Sequence, residues 1–188
     1  FGNLCTSQNF RNIQQNREFV RNQLMGCFHN FQPSPDPFIN CDYSISMPGI
    51  VLNYICQLTI HNPQGRDDFE NIPGTHLWHQ NRNLTNSDVT NVDSFWQMTL
   101  NFPQIICRQF PNLRGLGMQR AGIEFLTPAA FEFCQSVRWL SLNENNFTTI
   151  PDLTFRNLVI LERLQLSNNQ ISHIGRQIAN TRVMENID

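Results

Sequence analysis

Two histidines, His76 and His79 in the segment HLWH, come closest to a metal-ligand pair in this 188-residue chain. Residues three apart on a strand point to opposite faces, and no third ligand lies nearby, so hydrogen-bonded or solvated rings are expected and no metal. Six cysteines, Cys5, Cys27, Cys41, Cys56, Cys107 and Cys134, include no CxxC pair. That removes the zinc-finger and thioredoxin spacings and favours disulfides in an oxidising compartment. Patterns such as GxSxG, GxxxxGK[ST] and HExxH are absent, as is a dinucleotide-binding glycine motif after a strand. All 13 basic residues are arginine, so neither a Schiff base nor a lysine general base is available. No enzyme and no cofactor is implied, and the remaining chemistry is binding.

Two sequons, Asn83-Leu84-Thr85 and Asn146-Phe147-Thr148, offer N-glycan acceptors at Asn83 and Asn146 in a secreted chain. A net charge of −2 argues against general binding to nucleic acid or anionic membranes. No stretch approaches the roughly 20 apolar residues of a membrane span. The missing lysine is accompanied by 24 asparagines, a split that adenine-rich codons would not produce. It fits an environment hostile to free amines, such as one rich in aldehydes, quinones or cross-linking enzymes, against the plainer reading of drift or an arginine bias.

The elements that must carry any binding face are repeats. LERLQLSNNQISHIG from Leu161, VRWLSLNENNFTTIP from Val137 and LRGLGMQRAGIEFLT from Leu113 start 24 residues apart. They share LxxLxLxxNxL, with Ala121, Asn145 and Asn169 at the asparagine position. A fourth, degenerate unit, VTNVDSFWQMTLNFP from Val89, has Ser94 and Gln97 where leucine and asparagine are expected. Each unit predicts a short strand with alternate residues inward, then a turn whose backbone groups have no sheet partner. Asparagine can satisfy those groups in its own and the adjacent coil. Ala121 cannot, so its coil must use water or borrow from a neighbour. A single coil cannot bury its apolar side, so only the stack is stable.

Between the inward leucines, the strands present Thr90, Asn91 and Asp93, then Arg114, Gly115 and Gly117, then Arg138, Trp139 and Ser141, then Glu162, Arg163 and Gln165. Phe95, Trp96 and Arg120 follow just beyond the strands. Arginine and tryptophan are enriched at binding hot spots, which makes Arg114, Arg120, Arg138, Trp139, Arg163, Phe95 and Trp96 the candidate ligand-binding residues. The competing reading is that guanidinium and indole satisfy one another by stacking.

Residues 1–31 hold a helix over residues 7–25, in which Phe10, Ile13, Val20 and Leu24 form a thin apolar stripe, and residues 32–40 are a Pro-rich connector. Residues 41–88 read as a disulfide-stapled β cap, with a strand in GIVLNYICQLTIH, and residues 89–188 as about four repeats, the last incomplete. Cys107 and Cys134, on the convex side of consecutive coils, suit a bridge. Cys41 and Cys56 flank a turn at Met47-Pro48-Gly49 and suit a hairpin staple. Elimination leaves Cys5 with Cys27, which the helix would hold about 28 Å apart. Either the helix starts later or these two pair elsewhere. Met184 and Ile187 open a further coil, which predicts either a second copy packed on the last one or a continuation of the chain.

The stretches NYICQLTIHNPQG, IPGTHL, SDVTNV and FPQIICRQFPNLRGLGM, with the repeats after them, resemble the secreted leucine-rich repeat proteins of insects, of the dipteran type, over residues 41–188. The resemblance implies an α/β solenoid with a parallel sheet on its concave side, here with an N-terminal helix and β-hairpin cap. It also implies extracellular life, a protein or glycan ligand on that sheet, and for some members a part in innate immunity. The alternative function is a structural or carrier component of an extracellular material or fluid.

Overall fold

The computed structural model describes residues 37–46, 53–66, 68–79, 82–95, 98–176 and 186–187. The expected helix over residues 7–25, residues 32–36 of the connector, the Met47-Pro48-Gly49 turn and the pairing of Cys5 and Cys27 lie outside them.

The chain enters the described region as strand β1, Phe38–Ser46, which takes in the last residues of the Pro-rich stretch. It returns as β2, Asn53–Asn62, antiparallel to β1 with Cys41 opposite Leu58 and Tyr43 opposite Cys56. Alternation then decides the faces: Tyr54, Cys56, Leu58 and Ile60 are buried, and Gln57 and Thr59 are exposed. The register places Cys41 and Cys56 diagonally on the inner face, where they form a disulfide with Cα atoms 5.4 Å apart.

From β2 onward every neighbour in the main sheet is parallel. β5, Val89–Phe95, pairs β2 through a bulge between Tyr54 and Ile55. Then come β7, Gly115–Gln119, β8, Trp139–Ser141, β10, Arg163–Gln165, and β12, Asn186–Ile187. The 24-residue offset holds from β5 to β10, with Val92 beside Leu116, Leu116 beside Leu140 and Leu140 beside Leu164, and shortens to 23 at the last strand, with Leu164 beside Ile187. The degenerate unit from Val89 is therefore a full neighbour in the sheet. Parallel strands need long crossovers. Among the described residues these are runs of turns with one five-residue helix, α1, Ile105–Gln109, and a single 3-10 turn, Asn86–Asp88, so helix contributes less than the expected α/β class suggests.

Short paired segments complete the described elements: β3, Trp78–His79, with β4, Arg82–Asn83; β6, Met98–Thr99, on β2; and β9, Thr149–Ile150, with β11, His173–Ile174. Opposite the sheet, Phe102, Phe131 and Phe155 stack with ring centroids 4.6 Å and 5.5 Å apart. Cys107 in α1 and Cys134 in the next crossover are disulfide-bonded, with Cα atoms 5.1 Å apart.

The turns after the strands are where the asparagines act. Asn145 Oδ1 accepts the N–H groups of Ala121 and Ile123, both at 3.1 Å. Its amide donates to the carbonyls of Met118 and Leu142 at 2.7 and 2.9 Å. Asn169 repeats this one coil on, accepting from Phe147 N–H and donating to Leu142 and Leu166. The coil of Ala121 is thus served by the asparagine of the coil that follows it. Asn62, buried at the end of β2, bonds the N–H and carbonyl of Arg66 and so closes the first turn in a related way. Arg120, Glu144 and Asn168, also 24 apart, all have φ of 54 to 56°. The same left-handed position recurs with three unlike side chains, so the turn imposes it.

Under the hairpin, Tyr43 and Tyr54 stack at 5.4 Å, and His76 lies 4.3 Å from the Tyr43 ring. The Tyr54 hydroxyl accepts the Leu77 N–H and shares a second hydrogen bond with His76 Nδ1 at 3.0 Å. His76 is therefore a hydrogen-bonded packing residue. Gly74 belongs to the same packing: a Cβ there would meet the Cys41 carbonyl at 2.5 Å.

Burial, and next the neighbouring Tyr54, push the Tyr43 phenol from 10.0 up to about 12, against a hydrogen bond from Gln109. The unfolded phenol ionises near its ordinary value, so this stabilisation is complete below pH 10 and is lost as the pH climbs from 10 towards 12. The unfolding free energy should fall across that window by about 2 kcal/mol more in the native sequence than in Tyr43→Phe. Denaturant titrations at both ends of the window test this, and equal slopes would refute it.

Candidate functional site

The outward face of the sheet follows from the register. One row runs Ser44, Ile55, Asn91, Gly115, Trp139 and Arg163, and the next runs Asp42, Gln57, Asp93, Gly117, Ser141 and Gln165. Leucines and valines between them face the core, and within the two rows Gly115, Gly117 and Ser141 are themselves covered by neighbouring side chains.

Two of the rows' members are glycine, and both lie on β7. Strands flank one another at about 4.8 Å, so the missing side chains leave room into which neighbours lean. From β5, Asn91 bends over Gly115, and Asp93 Oδ1 lies 2.7 Å from where a Gly117 Cβ would stand. From β8, the six-membered ring of Trp139 comes within 3.3 Å of the Gly115 Cβ position and 3.7 Å of that of Gly117. The Asp93 oxygen and the indole are therefore separated by no more than the sum of their two distances to that Gly117 point. Gln119 donates to the buried Ser141 hydroxyl at 3.0 Å along one side.

Asp93 is half-buried, and burial alone raises its carboxyl above the ordinary value. Among the described residues it has no hydrogen-bond or ion-pair partner. Trp139 is half-buried too, and its indole N–H has no acceptor among them.

The candidate arginines separate into different environments. Arg138 pairs with Glu162, and Arg120 with Glu144 at 2.6 Å, each with the carboxylate one coil on. Such half-exposed pairs contribute about 0 to 1 kcal/mol and chiefly neutralise charge. Arg114 and Arg120 stand at opposite ends of β7, about 20 Å apart at roughly 3.3 Å per residue. Arg163 stands beside Trp139 in the register. Among the described residues neither Arg114 nor Arg163 has an ion-pair partner. The cation–π contact among them is Arg108 over Phe133, at 5.0 Å, with none at Trp139. The side chain of Phe95 and the whole of Trp96 lie outside the described residues.

Asn91 and Asp93 gain their importance from Gly115 and Gly117. The signal in the sequence was GLGM itself: glycine at both outward positions of one strand invites neighbouring side chains over it. Of the glycan acceptors, both Asn83 and Asn146 are exposed. Asn146, Glu124, Phe125, Thr148 and Gln170 line a shallow groove of about 330 Å³, and Phe125 is 57% exposed there. Among the described residues no group of three or more His, Cys, Asp and Glu side chains could hold a metal ion, and no helix is long and apolar enough to cross a membrane.

No curated protein and no solved structure matches the chain. Residues 111–171 and 135–181 match the family model of the leucine rich repeat, and with the mostly parallel sheet this fits a solenoid-like repeat fold of the kind that binds proteins.

Proposed function

We propose that this chain is a secreted, non-enzymatic binding protein that docks a protein partner on the outward face of its sheet, around Trp139. The observation that carries the reading is Trp139 itself: a half-buried indole in the middle strands of the repeat face, beside Arg163, with neither the indole N–H nor Arg163 partnered among the described residues. Leucine-rich repeats are generally binding modules, which supports docking over catalysis. Two disulfides are compatible with an extracellular setting. On this reading Asn146 carries a glycan beside Phe125, and the resemblance to secreted insect proteins makes innate immunity one setting for the partner. The absence of lysine favours a second reading, a carrier or structural component of an extracellular fluid. Abundance separates the two, because a carrier makes up much of its secretion.

The test couples the full chain to a surface and captures partners from its native fluid, beside Trp139→Ala combined with Arg163→Glu and a control, Phe133→Ser, at an exposed crossover residue. Capture of a discrete protein should fall about 30-fold in the face variant, the size of a hot-spot loss, and persist in the control. Equal capture by all three would place the docking site elsewhere.

A further inference from the structure

We infer that the groove beside Asn146 seats the first sugar of an N-linked glycan attached to that residue, with the pyranose ring laid on the exposed Phe125. The inference rests on the secretion in the reading above and not on the docking. Asn145 and Asn146 are adjacent asparagines in opposite situations. Asn145 is buried and commits its amide to the turn, whereas Asn146 is exposed and its side chain has no hydrogen-bond partner among the described residues. The Asn146 backbone N–H donates to the Ile123 carbonyl at 2.8 Å, which fixes the residue against the preceding coil. One repeat back the equivalent residue is Gly122, so that coil places no side chain at the matching position. Phe147 is fully buried, and Asn146 and Thr148 on either side of it are both exposed and both line the groove. The amide and the hydroxyl of the sequon are thus presented together.

The donor is an oligosaccharide carried on a lipid pyrophosphate, supplied with its transferase by the secretory pathway. A bond forms from Asn146 Nδ2 to C1 of the first acetylglucosamine, the bond from that C1 to the pyrophosphate oxygen breaks, the lipid pyrophosphate leaves with the electron pair, and one amide proton passes to a base of the transferase. The groove suits the product. Phe125 is 57% exposed, an apolar ring open to solvent. A pyranose has an apolar C–H face and a rim of hydroxyls, so it can cover that ring while its rim meets the side chains of Glu124, Thr148 and Gln170. Among the described residues those three side chains have no other hydrogen-bond partner. At about 330 Å³ the groove stands near the bottom of the roughly 300 to 1,000 Å³ of small-ligand clefts, which suits a single ring.

The experiment secretes the full chain, behind an added signal sequence, from cells that make only oligomannose glycans, and trims each glycan to one acetylglucosamine with an endoglycosidase. Mass spectrometry of the peptides should find Asn146 occupied. In the NMR spectrum, with the sugar on Asn146 assigned by Asn146→Gln, its ring protons should lie upfield of those of free acetylglucosaminyl-asparagine, displaced by the ring current of Phe125. Phe125→Leu, an exposed apolar exchange, should abolish the displacement, and Phe125→Tyr, which keeps the ring, should retain it. A bare Asn146, sugar resonances at their free positions, or a displacement that persists in Phe125→Leu would overturn the inference. Secretion is imposed here by the signal, so these outcomes bear on the glycan seat alone. The secreted reading falls separately, if the native protein is recovered from inside its cells and not from a secreted fluid.

Discussion

Asn145→Ala is expected to lower the free energy of unfolding by about 4 kcal/mol, because it strands several buried backbone groups at once. Asn145 is 3% exposed. Its loss removes the acceptor for two N–H groups, of Ala121 and Ile123, and the donor for the carbonyls of Met118 and Leu142. Each group left buried without a partner costs roughly 1 to 3 kcal/mol, reduced where water enters the space. Asn169→Ala should cost clearly less, since Asn169 is only half-buried and water reaches its turn. Denaturant titration of the two variants gives the comparison. Equal losses, or a loss below about 1 kcal/mol at Asn145, would mean that the amide is not what closes the turn.

Leu140→Ala is expected to cost a similar amount, about 4 kcal/mol, through a different cause. Leu140 is fully buried on β8 with Leu116 and Leu164 on either side in register. Both neighbours are fixed by the parallel ladder and cannot close over the space, so the cavity persists and adds to the lost transfer energy. A loss under about half a kcal/mol, measured by denaturant midpoint and slope, would show that the side chain does not face the core.

The register was legible because a fixed 24-residue spacing of apolar residues leaves one parallel alignment that buries them all. Val92, Leu116, Leu140 and Leu164 follow from it directly, and so does the need of the Ala121 coil for a substitute partner, either water or a neighbouring coil. The pairing of Arg120 with Glu144 and Arg138 with Glu162 was also readable, since charges at equivalent positions of adjacent repeats must meet across the ladder. Taking the arginines as a list of hot spots missed it, because what a charged side chain offers depends on what stands 24 residues away. The side-chain cover over Gly115 and Gly117 was less accessible. Its shape comes from side chains leaning sideways over glycine, and period-two alternation says only which face a residue is on, not how far it reaches along that face. His76 shows the same limit, since its partner Tyr54 comes from a strand 22 residues away with no shared period.

The direction in which the asparagines reach has a consequence for synthesis. Asn145 closes the turn that ends with Ile123, and Asn169 the turn that holds Phe147, so each coil is finished by residues made 22 to 27 positions later. On a ribosome, a newly emerged coil would wait with its turn still hydrated until roughly one more repeat had left the exit tunnel. Growth would then advance with a lag of one unit from the β1–β2 hairpin, whose antiparallel partner and disulfide need nothing downstream to form.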